Sequence, residues 1–281
     1  MGMADIVPGV SGGTMALITG IYERFVSALS SITPRFITRM LKGDKEGAKE
    51  AWRSIDWAML IPLFVGILSA MVIFAFVIGW LLEFHAGPTY AFFFGLILAS
   101  AGFVSKYVEH LDVKHILSGV IAFLLVVVVI GIEEITTNHS LLVLFISGAI
   151  AVCAMILPGI SGSLTLLILG QYDYFLEALK NFSWKELIAF GIGALVGIMA
   201  FSRFLNWLLK GHRSVTMAFL FGCMLGALRK PGEIIVEETD PSSMSAVALV
   251  IIAAVIGFVA VYLMQRRSDR IKARLGIEDD A

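Results

Sequence analysis

The chain has 281 residues, 58% of them hydrophobic and 15% charged, with a formal net charge of −1 and a mean hydropathy of +0.90. Soluble domains carry about 25% charged residues, so a soluble globular fold is excluded, and near-zero net charge offers no field for nucleic acid. The two cysteines, Cys153 and Cys223, lie in apolar stretches and read as buried thiols rather than a disulfide or metal pair.

The first apolar stretch, 6–29, is broken at once by PGVSGG at 8–13; proline and glycine are poor helix-interior residues. A connection at 34–56 follows, carrying Arg35, Arg39, Lys42, Lys45, Lys49 and Arg53. Residues 58–82 run without a charge, and at about 1.5 Å per residue such a helix exceeds the ~30 Å hydrocarbon core. The pattern predicts full spans at 57–82, 89–104, 115–132, 187–209, 214–229 and 244–265. Between them, 141–179 carries a second break, PGISGS at 158–163. The fold class is therefore an all-α integral membrane protein, with about six full spans plus two re-entrant or broken-helix hairpins carrying PGxSG. The N-terminus lacks the pattern of a cleavable signal peptide, so the first segments serve as the insertion signal.

Loop charge gives orientation. The basic 34–56 connection, the turn with Lys106 and Lys114, the 210–213 turn and the tail with Arg266, Arg267, Arg270, Lys272 and Arg274 are expected inside; the C-terminus is then cytoplasmic. The acidic stretches 133–140 and 231–243 are expected outside. Residues 141–179 must start and finish outside, either as a re-entrant hairpin or as two short crossings. Lys180 and Lys185 on the outer side are softened by Glu177 and Glu186.

The two breaks belong to a repeat. At an offset of 150, 8–29 and 158–179 share 11 of 22 residues, including Pro8, Gly9, Ser11, Gly12, Gly20 and Tyr22; Glu23 is matched by Asp173. At an offset of 127, Trp57, Gly66, Phe74, Trp80, Thr89 and Gly95 recur as Trp184, Gly193, Phe201, Trp207, Thr216 and Gly222. Because residue 57 is inside and residue 184 outside, the halves 1–132 and 133–281 read as inverted copies, a recurring transporter architecture. Only seven residues precede Pro8, whereas 141–157 supply a full first leg, so the first hairpin is expected to be the shorter.

Irregular backbone at membrane depth survives where protein or a polar cavity satisfies it, and a half-helix beginning there aims free N–H groups and partial positive charge inward. Such an end suits an anion or phosphate. The candidate substrate-binding residues are Ser11, Gly12, Gly13, Thr14, Ser161, Gly162, Ser163 and Thr165, with Arg203 and Arg229 as cations. The competing readings are close helix packing by small residues, a snorkelling Arg203 and an interfacial Arg229. Asp5, Glu23 and Asp173 flank the breaks and are candidates for proton coupling or ordinary boundary charges. No cofactor, metal site or nucleic-acid partner is suggested.

Enzymatic readings fare worse. GVSGG fits G-x-S-x-G only formally, since that motif needs a strand–turn–helix setting. The histidines, His85, His110, His115, His139 and His212, all fall in or beside connections, which leaves an intramembrane serine without a base. A polyprenyl-pyrophosphate phosphatase would share the inverted repeat, but Gly162 stands where its signature places an arginine.

The stretches MADIVPGVSGGTMALITGIYE, LPGISGSLTLLILGQYD and FSRFLNWLLKGHRSVTMAFLFGCMLGALRK resemble the bacterial and archaeal polyprenyl-phosphate transporter family, formerly a membrane domain of unknown function. The resemblance spans the chain. It implies a flippase in the cytoplasmic membrane of a prokaryote, returning undecaprenyl phosphate, the carrier of cell-wall sugars, from the outer to the inner leaflet. A secondary transporter of a small soluble anion is the alternative on the same physics.

Overall fold

The structure, a computed structural model, describes residues 1–5, 11–32, 39, 42, 44–108, 112–131, 138–158 and 160–275; for Ile18, Met71, Ala75 and residues 267–275 it describes the backbone alone. Pro8, Gly9 and Gly159 of the two breaks lie outside the described residues, as do residues 133–137 of the acidic stretch 133–140.

The first half opens with three short helices, α1 (Gly2–Asp5), α2 (Gly12–Ile18) and α3 (Tyr22–Ser31). It continues with α4 (Lys45–Arg53), α5 (Trp57–Phe84), α6 (Ala86–Val104), a 3-10 turn at Ser105–Tyr107, and α7 (Val113–Ile130). The second half repeats the series as α8 (Leu141–Ile156), α9 (Gly162–Ile168), α10 (Tyr172–Lys180), α11 (Trp184–Gly211) and α12 (Arg213–Ala227). It ends with α13 (Arg229–Glu238) and α14 (Met244–Leu275). Five described helices are long and apolar enough to cross a bilayer, α5, α6, α7, α11 and α14, with α8 a shorter apolar helix. The chain is an all-α, multi-pass membrane protein.

The offsets read from sequence recur in the backbone. α2 and α9 start and stop 150 residues apart, and α5 and α11 do so at 127. Gly20 and Gly170 both end their short helices with positive φ, 71° and 61°, a conformation that costs a side-chain-bearing residue about 1–2 kcal/mol. His85 and His212 break the α5–α6 and α11–α12 junctions with nearly equal angles, φ −143°, ψ 45° and φ −141°, ψ 47°. At each junction a threonine hydroxyl donates back to that histidine's carbonyl, Thr89 at 2.7 Å and Thr216 at 2.8 Å.

α6 sits at the centre: 67% of Ala86–Tyr107 is buried, against 11–17% of the other long helices. Its counterpart α12 lies beside it and is buried along most of its length. The outer helices are exchanged around this pair. α14 packs on α6 and α7 packs on α12, at crossings where a Cβ on Gly95 would collide with the Ala254 carbonyl and one on Gly222 with the Gly119 carbonyl. Side chains such as Val72 and Phe76 stay exposed on the outside, as a lipid solvent permits.

Two differences from the expected segments have physical causes. The 214–229 span stops at Ala227, about 22 Å long, and α13 begins at once with Pro231 in its first turn, where a missing N–H costs nothing. α4 forms inside the basic connection because Asp44 caps it, accepting from Gly47 N at 2.9 Å. Ahead of the first break, α1 is one turn lying on α5, where the sixteen-residue α8 lies on α11.

Candidate functional site where the two breaks meet

α2 starts where it does because Ser11 is extended (φ −117°, ψ 135°) and its Oγ accepts from Gly13 N at 3.1 Å, the usual work of an N-cap serine. The same hydroxyl donates to the Leu157 carbonyl at 3.2 Å. Leu157 precedes Pro158, so a side chain of the first break is tied to the backbone of the second. Tyr22, fully buried, donates its phenol to the Ile156 carbonyl at 3.2 Å. Two carbonyls at the end of α8 thus accept from the other half of the chain, Leu157 O taking a longer bond from Ile160 N at 3.4 Å as well, as a buried helix end requires. Gly13 makes the approach tight, since a Cβ there would lie 2.8 Å from the Ile156 carbonyl oxygen and 3.3 Å from Pro158 N.

The residues proposed from sequence are brought into this seam unequally. Ser11, Gly12, Gly13, Thr14, Ser161 and Thr165 are buried, and Gly162 and Ser163 are half-buried. At the start of α9 the Ser161 and Ser163 hydroxyls lie 2.9 Å apart and Thr165 Oγ1 donates to the Ser161 carbonyl at 2.9 Å. Ser161, the N-cap of α9, makes no side-chain capping bond to the helix among the described residues. The start of α2 differs. Asp5 reaches over from α1 and its Oδ1 accepts from Gly12 N at 2.7 Å, while Oδ2 is buried without a hydrogen-bond partner among the described residues. The first half-helix carries its own carboxylate, while the second has Met155 at the matching position.

Arg203 and Arg229 are both engaged with backbone. Arg203 Nη1 donates to its own helix at the Met199 carbonyl, 2.9 Å, and Nη2 to the Ile32 carbonyl just past α3, 2.6 Å. Asn206 Nδ2 adds a bond to Ser30 Oγ at 3.1 Å, so this face of α11 staples the end of α3. Arg229 Nη1 caps the end of α7 at the Val127 carbonyl, 2.7 Å, and its Nε pairs with Glu233. A guanidinium has five N–H donors, so each keeps capacity beyond these bonds. Glu23 is ion-paired with Arg213 at 3.0 Å, whereas Asp173 is exposed on the wall of a cavity at the start of α10.

That cavity, about 250 Å³, is also lined by His139, Tyr172, Tyr174 and Glu177. Beside it Gln171, fully buried, donates through Nε2 to the Asn138 and Leu169 carbonyls at 2.9 and 3.2 Å, and its Oε1 faces His139 Nδ1 at 3.1 Å. Both amide partners are acceptors, so Oε1 must accept and His139 carries a proton on Nδ1. The sequence reading passed over Tyr22 and Gln171. Tyr22 was visible only as a repeat identity. Gln171 was signalled by standing where the first copy has Ile21.

At the start of α5, Arg24 Nε lies 2.9 Å from Asp56 Oδ2, and that hydrogen bond holds the Asp56 carboxyl below its ordinary 3.8. Among the described residues no cluster of histidine, cysteine or carboxylate could hold a metal ion.

Long apolar helices around a buried polar seam formed by two broken helices define a multi-pass membrane transporter. The chain belongs to the undecaprenyl phosphate translocase-like family, whose model matches residues 1–245. It is 40% identical over 230 residues to the polyprenyl-phosphate transporter of Vibrio cholerae, covering 82% of this chain and 74% of that one. It is 32% identical over 247 residues to the polyprenyl-phosphate transporter of Staphylococcus aureus, covering 81% of each. No solved structure matches it.

Proposed function

We propose that this chain carries a polyprenyl phosphate across the membrane from the outer to the inner leaflet, its phosphate passing through the seam while its prenyl tail stays in apolar surroundings. The observation that carries the reading is the Ser11–Leu157 hydrogen bond, which joins the two breaks at one buried point in a member of this family. Residues 1–132 and 133–281 act as inverted halves, and the tail of the chain lies in the cytoplasm of a prokaryotic cell. The seam as described is closed, its hydroxyls and amides largely turned on one another. Transport requires the breaks to part, presenting the N–H groups of Gly12, Gly13, Gly162 and Ser163 and the hydroxyls of Ser11, Thr14, Ser161, Ser163 and Thr165 to the phosphate. Arg203 and Arg229 fix the helices around the path and add positive charge to it.

Asp5 gives this cycle a means of proton coupling. Its carboxylate holds the Gly12 N–H that the phosphate would use, so the two anions compete for one donor, and protonating Asp5 removes the competing charge. Glu23 serves as the partner of Arg213, and Asp173 faces the outer cavity with His139, placing a second titratable group on the path. A proteoliposome assay tests the function: polyprenyl phosphate placed in the outer leaflet should disappear from it faster than from protein-free vesicles. Equal rates with and without protein overturn the reading, and uptake of inorganic phosphate in place of lipid would favour the soluble-anion carrier.

A further inference from the structure

The three residues that open α3 each reach a different element. Tyr22 donates its phenol to the Ile156 carbonyl at the end of α8, 3.2 Å. Glu23 Oε1 accepts from Arg213 Nε at the start of α12, 3.0 Å, and Arg24 grips Asp56 at the start of α5 through Nε and Nη2, 2.9 and 3.2 Å. Arg213 is the first residue of α12, an end where a cation is disfavoured, so α12 itself does not account for it and the bond to Glu23 does. The second copy keeps the positions and loses both ion pairs. Tyr172, Asp173 and Tyr174 match Tyr22, Glu23 and Arg24, but Ala86 and Ser183 stand where the partners Arg213 and Asp56 would be needed. All three line the cavity of about 250 Å³ instead, with Tyr174 stacked on His139. One repeat position shows the contrast: Leu17 is packed against the buried core, whereas its counterpart Leu167 is 51% exposed on the cavity wall.

We infer that Tyr22, Glu23 and Arg24 form a latch that holds the first-break end of the seam shut while the second-break end stands open, and that releasing it exchanges the two ends, as inverted repeats allow. The inference rests on the function proposed above and gives that transport cycle its resting state. The latch residues are consecutive and follow directly on the turn between α2 and α3, so freeing them frees α2, the half-helix behind the first break. Each ion pair is partly exposed and such pairs contribute little one by one. A gate needs ties of that size, because the shut end must open again in every cycle. With orientation set by loop charge, the latched end faces the cytoplasm and the cavity faces outside, so the empty carrier waits where its lipid is collected.

The test uses the full chain in lipid nanodiscs, which leave both ends in contact with solution, with Cys153 and Cys223 replaced by Ala and one reporter, Leu17→Cys or Leu167→Cys. Reaction with a water-soluble maleimide should be about tenfold slower at Leu17→Cys than at Leu167→Cys, as for a minor conformer of about 10% population. Arg213→Ala should speed Leu17→Cys about fivefold, which is about 1 kcal/mol, the upper range for an exposed pair. Tyr22→Phe, Glu23→Gln and Arg24→Gln together should go further, with Leu167→Cys slowing as Leu17→Cys speeds. The charge exchange Glu23→Arg with Arg213→Glu should bring Leu17→Cys most of the way back to its slow rate. Ties that only stiffen α3 would, once cut, speed Leu17→Cys and leave Leu167→Cys unchanged. That result in the triple variant, an unchanged Leu17→Cys rate in both variants, or a charge exchange that stays fast overturns the inference. Lipid movement in the proteoliposome assay is a separate reading. Its absence from the parent beside reciprocal labelling would sink the proposed function and leave the latch, and transport beside unchanged labelling would do the reverse.

Discussion

A carboxylate at a helix N-terminus solves the same electrostatic problem whether substrate or protein supplies it. Asp5 supplies it for α2, with a 2.7 Å bond to Gly12 N. Asp5→Asn keeps an oxygen for that N–H and removes the charge. It should lower the KM for polyprenyl phosphate about fivefold, in line with a helix-terminus charge interaction of about 1 kcal/mol, and flatten the dependence of transport on pH. A KM and pH profile unchanged from the parent would remove Asp5 from the cycle. Arg203 is the opposite case, a cation spent on the carbonyls of Met199 and Ile32. Arg203→Ala should lower thermal stability by about 1.5–3 kcal/mol, the cost of losing hydrogen bonds from a charged donor. Arg203→Lys should recover only part of it, since an ammonium cannot span both carbonyls as the fork does. Loss of transport at full thermal stability would instead make Arg203 a direct phosphate ligand.

At the scale of helices, the two halves are built alike and supported differently. Gly193 lets α11 lie against α8, where a Cβ would strike the Phe145 carbonyl, while a Cβ on the matching Gly66 of α5 would meet nothing within 4 Å among the described residues. Gly193→Ala should therefore cost about 1–3 kcal/mol by overpacking, and Gly66→Ala should leave the melting temperature unchanged or raised; equal losses at both sites would mean the difference in support has no energetic weight. The Arg24–Asp56 pair ties α3 to the first turn of α5, where Asp56 also accepts from Met59 N at 3.1 Å. Because the folded carboxyl titrates below 3.8, this tie is complete above about pH 4 and is lost as pH falls through the depressed value. Hydrogen exchange at the Met59 amide should be equally slow at pH 7 and 5, after correction for intrinsic rates, and accelerate only in stronger acid. Much of this architecture was legible in the residues. Charge-free runs marked the long helices, and identities at two fixed offsets marked the paired breaks, because burial and backbone geometry act on residue type locally. α4 and α13 were not legible, since a short polar amphipathic helix has the composition of a loop. The partners of Asp5 and Arg203 were hidden for another reason: an ionisable residue in an apolar segment must find a partner, but sequence does not say whether that partner is substrate or a carbonyl 171 residues away.

For the molecule as a whole, the exchange of outer helices matters most. α7 of the first half rests on α12 and α14 of the second rests on α6, so neither half can move as an isolated block. What can part is the seam between the short helices, held by the Ser11 and Tyr22 bonds to the end of α8. A lock placed there should stop transport without disturbing the long helices. With the free Cys153 and Cys223 replaced by Ala, Ser11→Cys and Leu157→Cys place thiols on two residues joined through the Ser11 hydroxyl and the Leu157 carbonyl, and quantitative disulfide formation on oxidation is the precondition of the test. Oxidation should abolish polyprenyl phosphate movement in proteoliposomes, and a reductant should restore it to the level of the reduced double variant. Transport that continues through an oxidised, quantitatively crosslinked sample would show that the breaks need not separate, leaving the seam a purely structural joint.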